Sequence, residues 1–296
     1  MLARPGLPGF DYVRAATADE AVALLAEYGT AARLLMGGTD LFPALRDGVF
    51  RPQVVVDVKA LPGLRDIRYD EDTGLTVGAA ATMNQIAHHP NVRTYPVLAE
   101  AAHTVASYQI RNRATLGGNL CNASPCADTS PATLVLEAQF VLYGPAGERL
   151  VPAGEFFTGP GQTVLQPAEL MTAVRFPPAE KGAASRYLKL GRCKSGDLSL
   201  VGVAVLGHRD GPDLGQSFRI CLGSVAPTVL RVPEVEVFLG EHEPGEETFA
   251  RAAEKAEAAA RPITDVRGSA DYQKAMVRTL TARALRDVWA RMQEAD

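Results

Sequence analysis

Residues Arg111–Asp128 read RNRATLGGNLCNASPCAD, and this stretch decides how the rest of the sequence is interpreted. It contains a glycine pair, Gly117 and Gly118, followed mostly by small or short hydrogen-bonding residues such as Asn122 and Ser124. Such residues bring little apolar area to a core. Because glycine has no Cβ, however, the backbone at the pair can approach a ligand closely. The composition therefore indicates a binding loop and not a core element.

A second stretch, Leu34–Leu41 (LLMGGTDL), has the same order of apolar residues, glycine pair and short polar residues. Two such stretches predict two walls of one phosphate site, lined by backbone N–H groups and helix ends. Neither matches the dinucleotide fingerprint G-x-G-x-x-G, and neither carries the lysine of a P-loop. The sequence therefore argues against the nicotinamide and nucleoside-triphosphate folds. Taken alone, each stretch is also compatible with an ordinary tight turn.

Length and composition describe an ordinary globular protein. The 296 residues suffice for two domains, and 47% are hydrophobic and 22% charged. A net charge of −4 gives no reason to expect binding to nucleic acid or to an anionic membrane. No apolar run approaches the roughly 20 residues of a transmembrane helix, and MLARPGLPGFDYVR at the N-terminus lacks the apolar centre of a signal peptide. We therefore expect a cytoplasmic protein.

Four cysteines and five histidines are the obvious candidates for metal ligands. Cys121 and Cys126 are close in sequence, but the further cysteine of a plant-type iron–sulfur set is missing, and Cys193 and Cys221 are isolated. Neither a second close cysteine pair nor histidines at zinc-ligand spacing are present. We therefore predict packing cysteines and no metal site. The sequence also lacks a nucleophile-elbow motif and a carboxylate pair near a glycine stretch, so it offers no candidate catalytic residues.

Helices and strands alternate through the first 177 residues. A capping box at Thr17–Glu20 predicts a helix that Gly29 ends, and Arg33–Met36 predicts a strand before a helix through Leu45, capped by Thr39 or Asp40. A further helix begins after Thr82 and ends at Pro90. The other predicted strands are Val54–Val58, Ile67–Tyr69, Leu75–Ala79, Phe140–Tyr143 and Arg149–Val151, and the other predicted helices are Pro96–Ala106 and Ser130–Ala138.

Residues 177–185, PPAEKGAAS, form a linker by composition and set the predicted domain boundary. We predict a first domain at 1–177, with lobes at about 1–60 and 61–177, and a second domain at 178–296. The second domain is predicted to contain an antiparallel sheet, with strands at Tyr187–Leu190, Leu200–Leu206 and Phe218–Leu222, and two helices at about Glu246–Ala260 and Ala270–Met292. The last helix has an apolar stripe that is predicted to face the core, formed by Tyr272, Met276, Leu280, Val288 and Met292.

Taken together, the sequence resembles the FAD-binding medium subunit of the molybdenum hydroxylases, the family that includes carbon monoxide dehydrogenase and xanthine dehydrogenase. The matching segments follow the family's order and are Leu34–Leu41, Thr76–Thr82, Ile110–Asp128, Phe156–Pro177 and Tyr187–Val205. The resemblance implies an α+β fold. It consists of a two-lobed FAD-binding domain of the vanillyl-alcohol-oxidase/PCMH type, followed by a small α+β C-terminal domain with an antiparallel sheet and helices.

The same resemblance implies a set of residues that contact FAD. The two glycine stretches would hold the pyrophosphate, the residue matching Asp128 would hydrogen-bond the sugar-like part of the flavin nucleotide, and Met171 and Lys189 would approach the ring system. The implied set is Leu34, Leu35, Met36, Gly37, Gly38, Thr39, Asp40, Leu41, Ala79, Thr115, Gly117, Gly118, Asn119, Ser124, Asp128, Met171 and Lys189.

The residues alone leave alternatives open within this set. Asp128 can instead be the N-cap of the following helix, and Lys189 can be a lysine that faces solvent. Because the glycine stretches hold few cations, a bound diphosphate must be neutralised mainly by N–H donors. Arg111 and Arg113 either assist in this neutralisation or are solvated surface residues.

Phosphate-binding stretches without acid–base groups suit a cofactor that carries its own chemistry. The resemblance implies FAD on this chain, 2Fe–2S clusters on a small partner subunit and molybdopterin on a large one, in a dimer of heterotrimers. Electrons would pass from the 2Fe–2S clusters through FAD to an external acceptor. Two alternatives remain open, a stand-alone flavin oxidase of the same fold class and a non-catalytic nucleotide-binding scaffold. The first would need its own substrate domain with a catalytic base.

Overall fold

In the computed structural model, which describes residues 6–209 and 215–294, the first sheet has three parallel strands in the order β1–β3–β2. They are β1 (Asp11–Arg14), β2 (Ala32–Leu35) and β3 (Val54–Asp57). Helix α1 (Ala18–Tyr28) connects β1 to β2, and α2 (Leu41–Arg46) follows β2. The central strand β3 is buried along its whole length, as a β-branched run in a parallel sheet requires.

The predicted capping of these two helices is only partly correct. The hydroxyl of Thr17 accepts from the N–H of Glu20, but the Glu20 carboxylate accepts from the N–H of Ala16 and not from that of Thr17. Asp40 is the N-cap residue of α2, yet its side chain makes no capping hydrogen bond. The start of α2 is therefore left without a side-chain cap.

The second sheet has five antiparallel strands in the order β4–β5–β10–β6–β7. Its strands are β4 (Ile67–Asp70), β5 (Gly74–Gly78), β6 (Gln139–Gly144), β7 (Gly147–Pro152) and β10 (Leu170–Phe176), and a small ribbon of β8 (Phe157–Gly159) and β9 (Gln162–Thr163) precedes β10. Both predicted hairpins are present. The central strand β10, which joins them, is absent from the sequence prediction.

Short helices lie between β5 and β6 in the chain. They are α3 (Met83–His88), α4 (Pro96–Thr104), α5 (Tyr108–Arg111), α6 (Leu116–Cys121) and α7 (Thr129–Val135), with α8 (Ala153–Phe156) after β7. Thr82 and Gln85 form a complete capping box at α3. The glycine pair of the second stretch lies inside α6, so the prediction of a loop there is wrong. Thr115 is the N-cap of that helix, and its hydroxyl accepts from the N–H of Gly118 (3.2 Å).

The C-terminal part is a four-stranded antiparallel sheet packed against helices. The strands are β11 (Ala184–Leu190), β12 (Val201–Arg209), β13 (Gln216–Gly223) and β14 (Leu230–Arg231), and the helices are α9 (Pro233–Gly240), α10 (Glu246–Ala259) and α11 (Ala270–Glu294). Helix α9 was not predicted. On α11, Leu280, Val288 and Met292 are buried, but Tyr272 is 46% exposed and lies outside the predicted core stripe.

Glu100 on α4 joins the two parts of the chain. Its carboxylate accepts from Arg186 Nη1 (2.7 Å) and the Tyr187 N–H (2.7 Å) of β11, and from Arg291 Nη2 (3.3 Å) of α11. These contacts hold β11 and the loop after it beside the glycine stretches. Across the described residues, no helix has both the length and the apolar character needed to span a membrane.

Candidate functional site

A cleft of about 580 Å³ opens where the two glycine stretches face the loop after β11. This volume lies in the range of small-molecule binding sites. Its lining residues come from four segments of the chain, 33–50, 105–128, 165–171 and 196–198. Of the residues implied by the resemblance, Leu35, Ala79 and Lys189 do not line the cleft, whereas all the others do. The fold thus brings together residues that are more than 90 positions apart in the sequence.

The first wall is a run of backbone donors at the start of α2. The N–H groups from Met36 to Leu41 donate to no acceptor among the described residues. Gly38 has φ +77°, a left-handed conformation that glycine adopts without strain. A Cβ at Gly37 would lie 2.2 Å from the carbonyl oxygen of Arg113, so this glycine is required by packing between the two stretches. Successive free N–H groups at a helix start form an anion-binding concavity.

The second wall differs from the prediction, because its donors are already used within the protein. Gly117 N–H donates to the carbonyl of Ala79 (2.8 Å), and Asn119 N–H to that of Thr115 (3.0 Å). A Cβ at Gly117 would lie 2.6 Å from the Cβ of Ala79. This glycine therefore lets α6 pack against the end of β5, and the expectation that both stretches offer free N–H groups is wrong for the second. Ala79 lies behind the wall, which explains why it does not line the cleft.

A buried carboxylate forms one end of the cleft. Asp128 is 5% exposed, and its carboxylate accepts from Tyr187 Oη (2.8 Å) and Lys189 Nζ (2.8 Å). Burial raises the pKa of Asp128, and the bonds to Lys189 and Tyr187 oppose this rise. Asp128 precedes α7 but makes no capping hydrogen bond, so the alternative that its side chain acts as an N-cap is wrong.

Lys189 supports this carboxylate from behind the wall. Its side chain is 11% exposed and also donates to the carbonyls of Thr104 (3.0 Å) and Asp197 (3.0 Å). The alternative of a lysine that faces solvent is therefore wrong. By binding Asp128, Thr104 and Asp197 together, Lys189 fixes three segments around this end of the cleft.

Several residues of the cleft were missed by the sequence interpretation. The Arg33 guanidinium lies 4.4 Å from the centroid of the Phe50 ring, and both residues line the cleft. The Gly196 N–H donates to the carbonyl of Ala106 (3.0 Å), which brings the loop after β11 into the wall. The signal that could have found this loop is its composition, GRCKSGD, which contains two glycines and several polar residues directly after a predicted strand.

Cys221 is buried in the core and Cys121 packs against it, as the prediction of packing cysteines expects, but Cys121 and Cys126 also line the cleft. Burial of Cys121 raises the pKa of its thiol to about 12. The Sγ of Cys126 accepts from Arg267 Nη1 (2.9 Å), in the connection between α10 and α11. In the part of the chain that the structure describes, no group of three His, Cys, Asp or Glu side chains is placed to hold a metal ion.

Comparison with known proteins gives consistent results over nearly the whole chain. The family model "FAD binding domain in molybdopterin dehydrogenase" matches residues 8–179, and "CO dehydrogenase flavoprotein C-terminal domain" matches residues 186–288. The carbon monoxide dehydrogenase medium chain of Hydrogenophaga pseudoflava is 38% identical over 285 residues, covering 96% of this chain and 98% of that protein. The xanthine dehydrogenase FAD-binding subunit of Escherichia coli O157:H7 is 33% identical over 281 residues, covering 94% and 96% respectively.

A solved structure agrees with these sequence matches. The chain superposes on a chain of the carbon monoxide dehydrogenase from Hydrogenophaga pseudoflava that lacks the Mo-pyranopterin moiety, with a TM-score of 0.92 and 38% identity. The match covers 97% of this chain and 99% of that chain. The implied fold class, an FAD-binding domain followed by a small α+β C-terminal domain, is confirmed.

Proposed function

This chain belongs to the FAD-binding medium subunits of the molybdenum hydroxylases, and from that membership we propose that it serves electron transfer inside a multisubunit enzyme. As a member, it is an FAD-binding subunit of an oxidoreductase. The proposed path runs from 2Fe–2S clusters of a partner subunit through FAD to an external acceptor. When bound, FAD supplies the exchange of one electron with a cluster and of two with an acceptor.

The run of free N–H groups from Met36 to Leu41 is the observation that carries this proposal. A diphosphate is an anion that such donors satisfy, and each charge-assisted bond contributes roughly 1.5–3 kcal/mol. The cleft of about 580 Å³ beside the run is lined by apolar residues such as Leu34 and Met171 together with polar ones such as Asn119. The residues present therefore fit FAD.

The other residues are proposed to position the cofactor and not to react. Thr115 and the α6 glycines form the opposite wall, and the Thr115 hydroxyl lies 4.0 Å from Met36 Sδ, which brings the two walls into contact. Asp128, fixed by Lys189 and Tyr187, presents a carboxylate to a sugar-like hydroxyl. We propose that this end of the cleft receives the flavin ring system and that Met171, which also lines the cleft, approaches the rings.

Partner subunits are proposed to supply the remaining cofactors. The relatives are named as medium chains or FAD-binding subunits of dehydrogenases, and the described residues contain no metal-holding group. We propose a small 2Fe–2S subunit and a large molybdopterin subunit, in a dimer of heterotrimers. We also propose that the chain divides at 177/178 into the FAD-binding domain and the C-terminal flavoprotein domain.

Anaerobic mixing of the FAD-loaded chain with candidate organic substrates tests the proposal. We expect no bleaching of flavin absorbance with the chain alone, and bleaching after addition of the cluster and molybdenum subunits. Bleaching by a substrate with this chain alone would identify a stand-alone flavin oxidase. A purified chain that is colourless and takes up no FAD would identify a nucleotide-binding scaffold.

A further inference from the structure

Arg111 is the one basic residue in the buried class across residues 6–209 and 215–294, with 8% exposure. Its Nε donates to Asn84 Oδ1 (3.1 Å), and its Nη1 donates to the carbonyls of Val105 (3.0 Å) and Ala106 (3.3 Å). All three acceptors are neutral. Within the described ranges, no ion pair with an aspartate or glutamate includes Arg111. The protein therefore holds one positive charge inside without an opposite charge.

The buried carboxylates are arranged differently. Asp57 pairs with Lys59 (2.8 Å), and Asp128 pairs with Lys189 (2.8 Å). A buried charge costs free energy unless it is paired, and neutral hydrogen-bond acceptors offset only part of that cost. An anionic group bound in the cleft would therefore offset part of the free-energy cost of burying the Arg111 charge.

The guanidinium lies directly behind the wall of the cleft. Val105 and Ala106 both line the cleft, and their carbonyl groups accept hydrogen bonds from Arg111. The adjacent Thr104 carbonyl accepts from Lys189, which also binds Asp128. Arg111 is therefore at the end of the cleft that contains Asp128, where the proposed function places the flavin ring system.

Arg111 also fixes the backbone of this wall. Ala106 has φ +41°, a left-handed conformation that is uncommon for alanine. Its carbonyl accepts from Arg111 Nη1 and from the Gly196 N–H (3.0 Å). Asn84 holds the guanidinium in place, because its Nδ2 donates to Asn112 Oδ1 (2.7 Å) while its Oδ1 accepts from Arg111. The charge is therefore rigidly placed.

We propose that Arg111 is a positioning residue that supplies a fixed positive charge to the flavin end of the cleft and favours the reduced cofactor. This inference rests on the proposed function. Near neutral pH, two-electron reduction of FAD takes up two electrons and one proton, so the ring system gains one negative charge. A cation buried behind the cleft wall stabilises that added charge more than it stabilises the neutral, oxidised ring system. Arg111 does not line the cleft and acts through its field and the two carbonyls.

The midpoint potential of FAD bound to the full chain tests this charge, with dithionite as the electron source and mediator dyes for equilibration. Arg111→Gln removes the charge and keeps amide donors, and Arg111→Lys keeps the charge. Arg113→Met is the matched control, since Arg113 is an exposed arginine two positions away whose side chain does not line the cleft. We expect Arg111→Gln to weaken binding of reduced FAD about tenfold more than that of oxidised FAD, which lowers a two-electron potential by about 30 mV.

The midpoint potential of bound FAD in Arg111→Lys should be close to the wild-type value, and that in Arg113→Met should equal it. An unchanged potential in Arg111→Gln, or equal shifts in Arg111→Gln and Arg111→Lys, would overturn the proposal, because a purely structural role lowers both affinities equally. If Arg111→Gln releases FAD on purification, separate titrations with oxidised and reduced FAD give the same ratio. Failure of the wild-type chain to bind FAD would refute the proposed function instead.

Discussion

Replacing Lys189 with methionine should destabilise the protein in a pH-dependent way. Lys189 and Asp128 have side-chain exposures of 11% and 6%, so their ion pair is buried. Removing one partner of a buried pair costs roughly 3–5 kcal/mol, because the remaining charge loses its compensation. The carbonyls of Thr104 and Asp197 also lose a donor in this variant. At about 2–4 °C per kcal/mol, the thermal midpoint near neutral pH should fall by roughly 6–20 °C.

The sign of the pH dependence follows from Asp128. Burial already raises the pKa of this carboxyl above its ordinary value of 3.8. A carboxyl whose folded-state pKa is raised favours folding below the unfolded pKa, and this contribution is lost as the pH rises through the folded-state pKa. Loss of Lys189 raises the pKa of Asp128 further, so the Lys189→Met variant should approach the wild type as the pH falls and depart from it as the pH rises.

Thermal unfolding of both proteins at pH 5 and pH 8 measures this dependence. The double variant Asp128→Asn/Lys189→Met should recover part of the loss at pH 8, because no buried charge remains. Lys181→Met is the control, since Lys181 is exposed and makes no ion pair among the described residues. An equal loss at both pH values, with no recovery in the double variant, would refute the electrostatic reasoning and leave packing as the cause.

Three further predictions concern the walls of the cleft and its cysteines. Gly37→Ala should lower the free energy of unfolding by about 1–3 kcal/mol and reduce the FAD-to-protein ratio, because the new Cβ would lie 2.2 Å from the Arg113 carbonyl oxygen. Gly154→Ala is the control, since a Cβ there meets no atom within 4 Å. Equal behaviour of the two variants would count against the packing argument. The FAD-loaded chain should show flavin absorbance and no stoichiometric iron; iron that disappears in Cys121→Ser or Cys126→Ser would show a cluster. Tyr187→Phe should lower the free energy of unfolding in urea by roughly 1.5–3 kcal/mol, because it removes the Oη bond to the Asp128 carboxylate (2.8 Å). A cost near zero would mean that the bond contributes nothing.

The sequence predicted those elements whose local pattern is strong. The β-branched run at β3 and both hairpins have the predicted type and place, as do the two glycine stretches as neighbours in one cleft. Strand β10 and helix α9 were missed because distant partners set their state: β10 pairs with β5 and β6, and α9 packs against β13.

The roles of individual site residues were less predictable. The two glycine pairs look alike in sequence. Within the described ranges, the N–H groups at Gly37 and Gly38 are free, whereas Gly117 packs against Ala79 and donates its N–H to the Ala79 carbonyl. The difference arises because Ala79, 38 positions earlier, happens to pack against α6, which local sequence does not reveal. Lys189 is a similar case, since its alternating neighbours fit a solvent-facing position as well as the buried one.

Hydrogen–deuterium exchange on the FAD-free and FAD-loaded chain tests the central claim most directly, because it reports individual backbone N–H groups. The N–H groups of residues 36–41 have no acceptor among the described residues and should exchange fast without FAD and slowly with it. Those of Gly117 and Asn119 are already hydrogen-bonded and should change little. Unchanged exchange at 36–41 in a chain that holds one FAD would show that the cofactor's diphosphate is bound elsewhere.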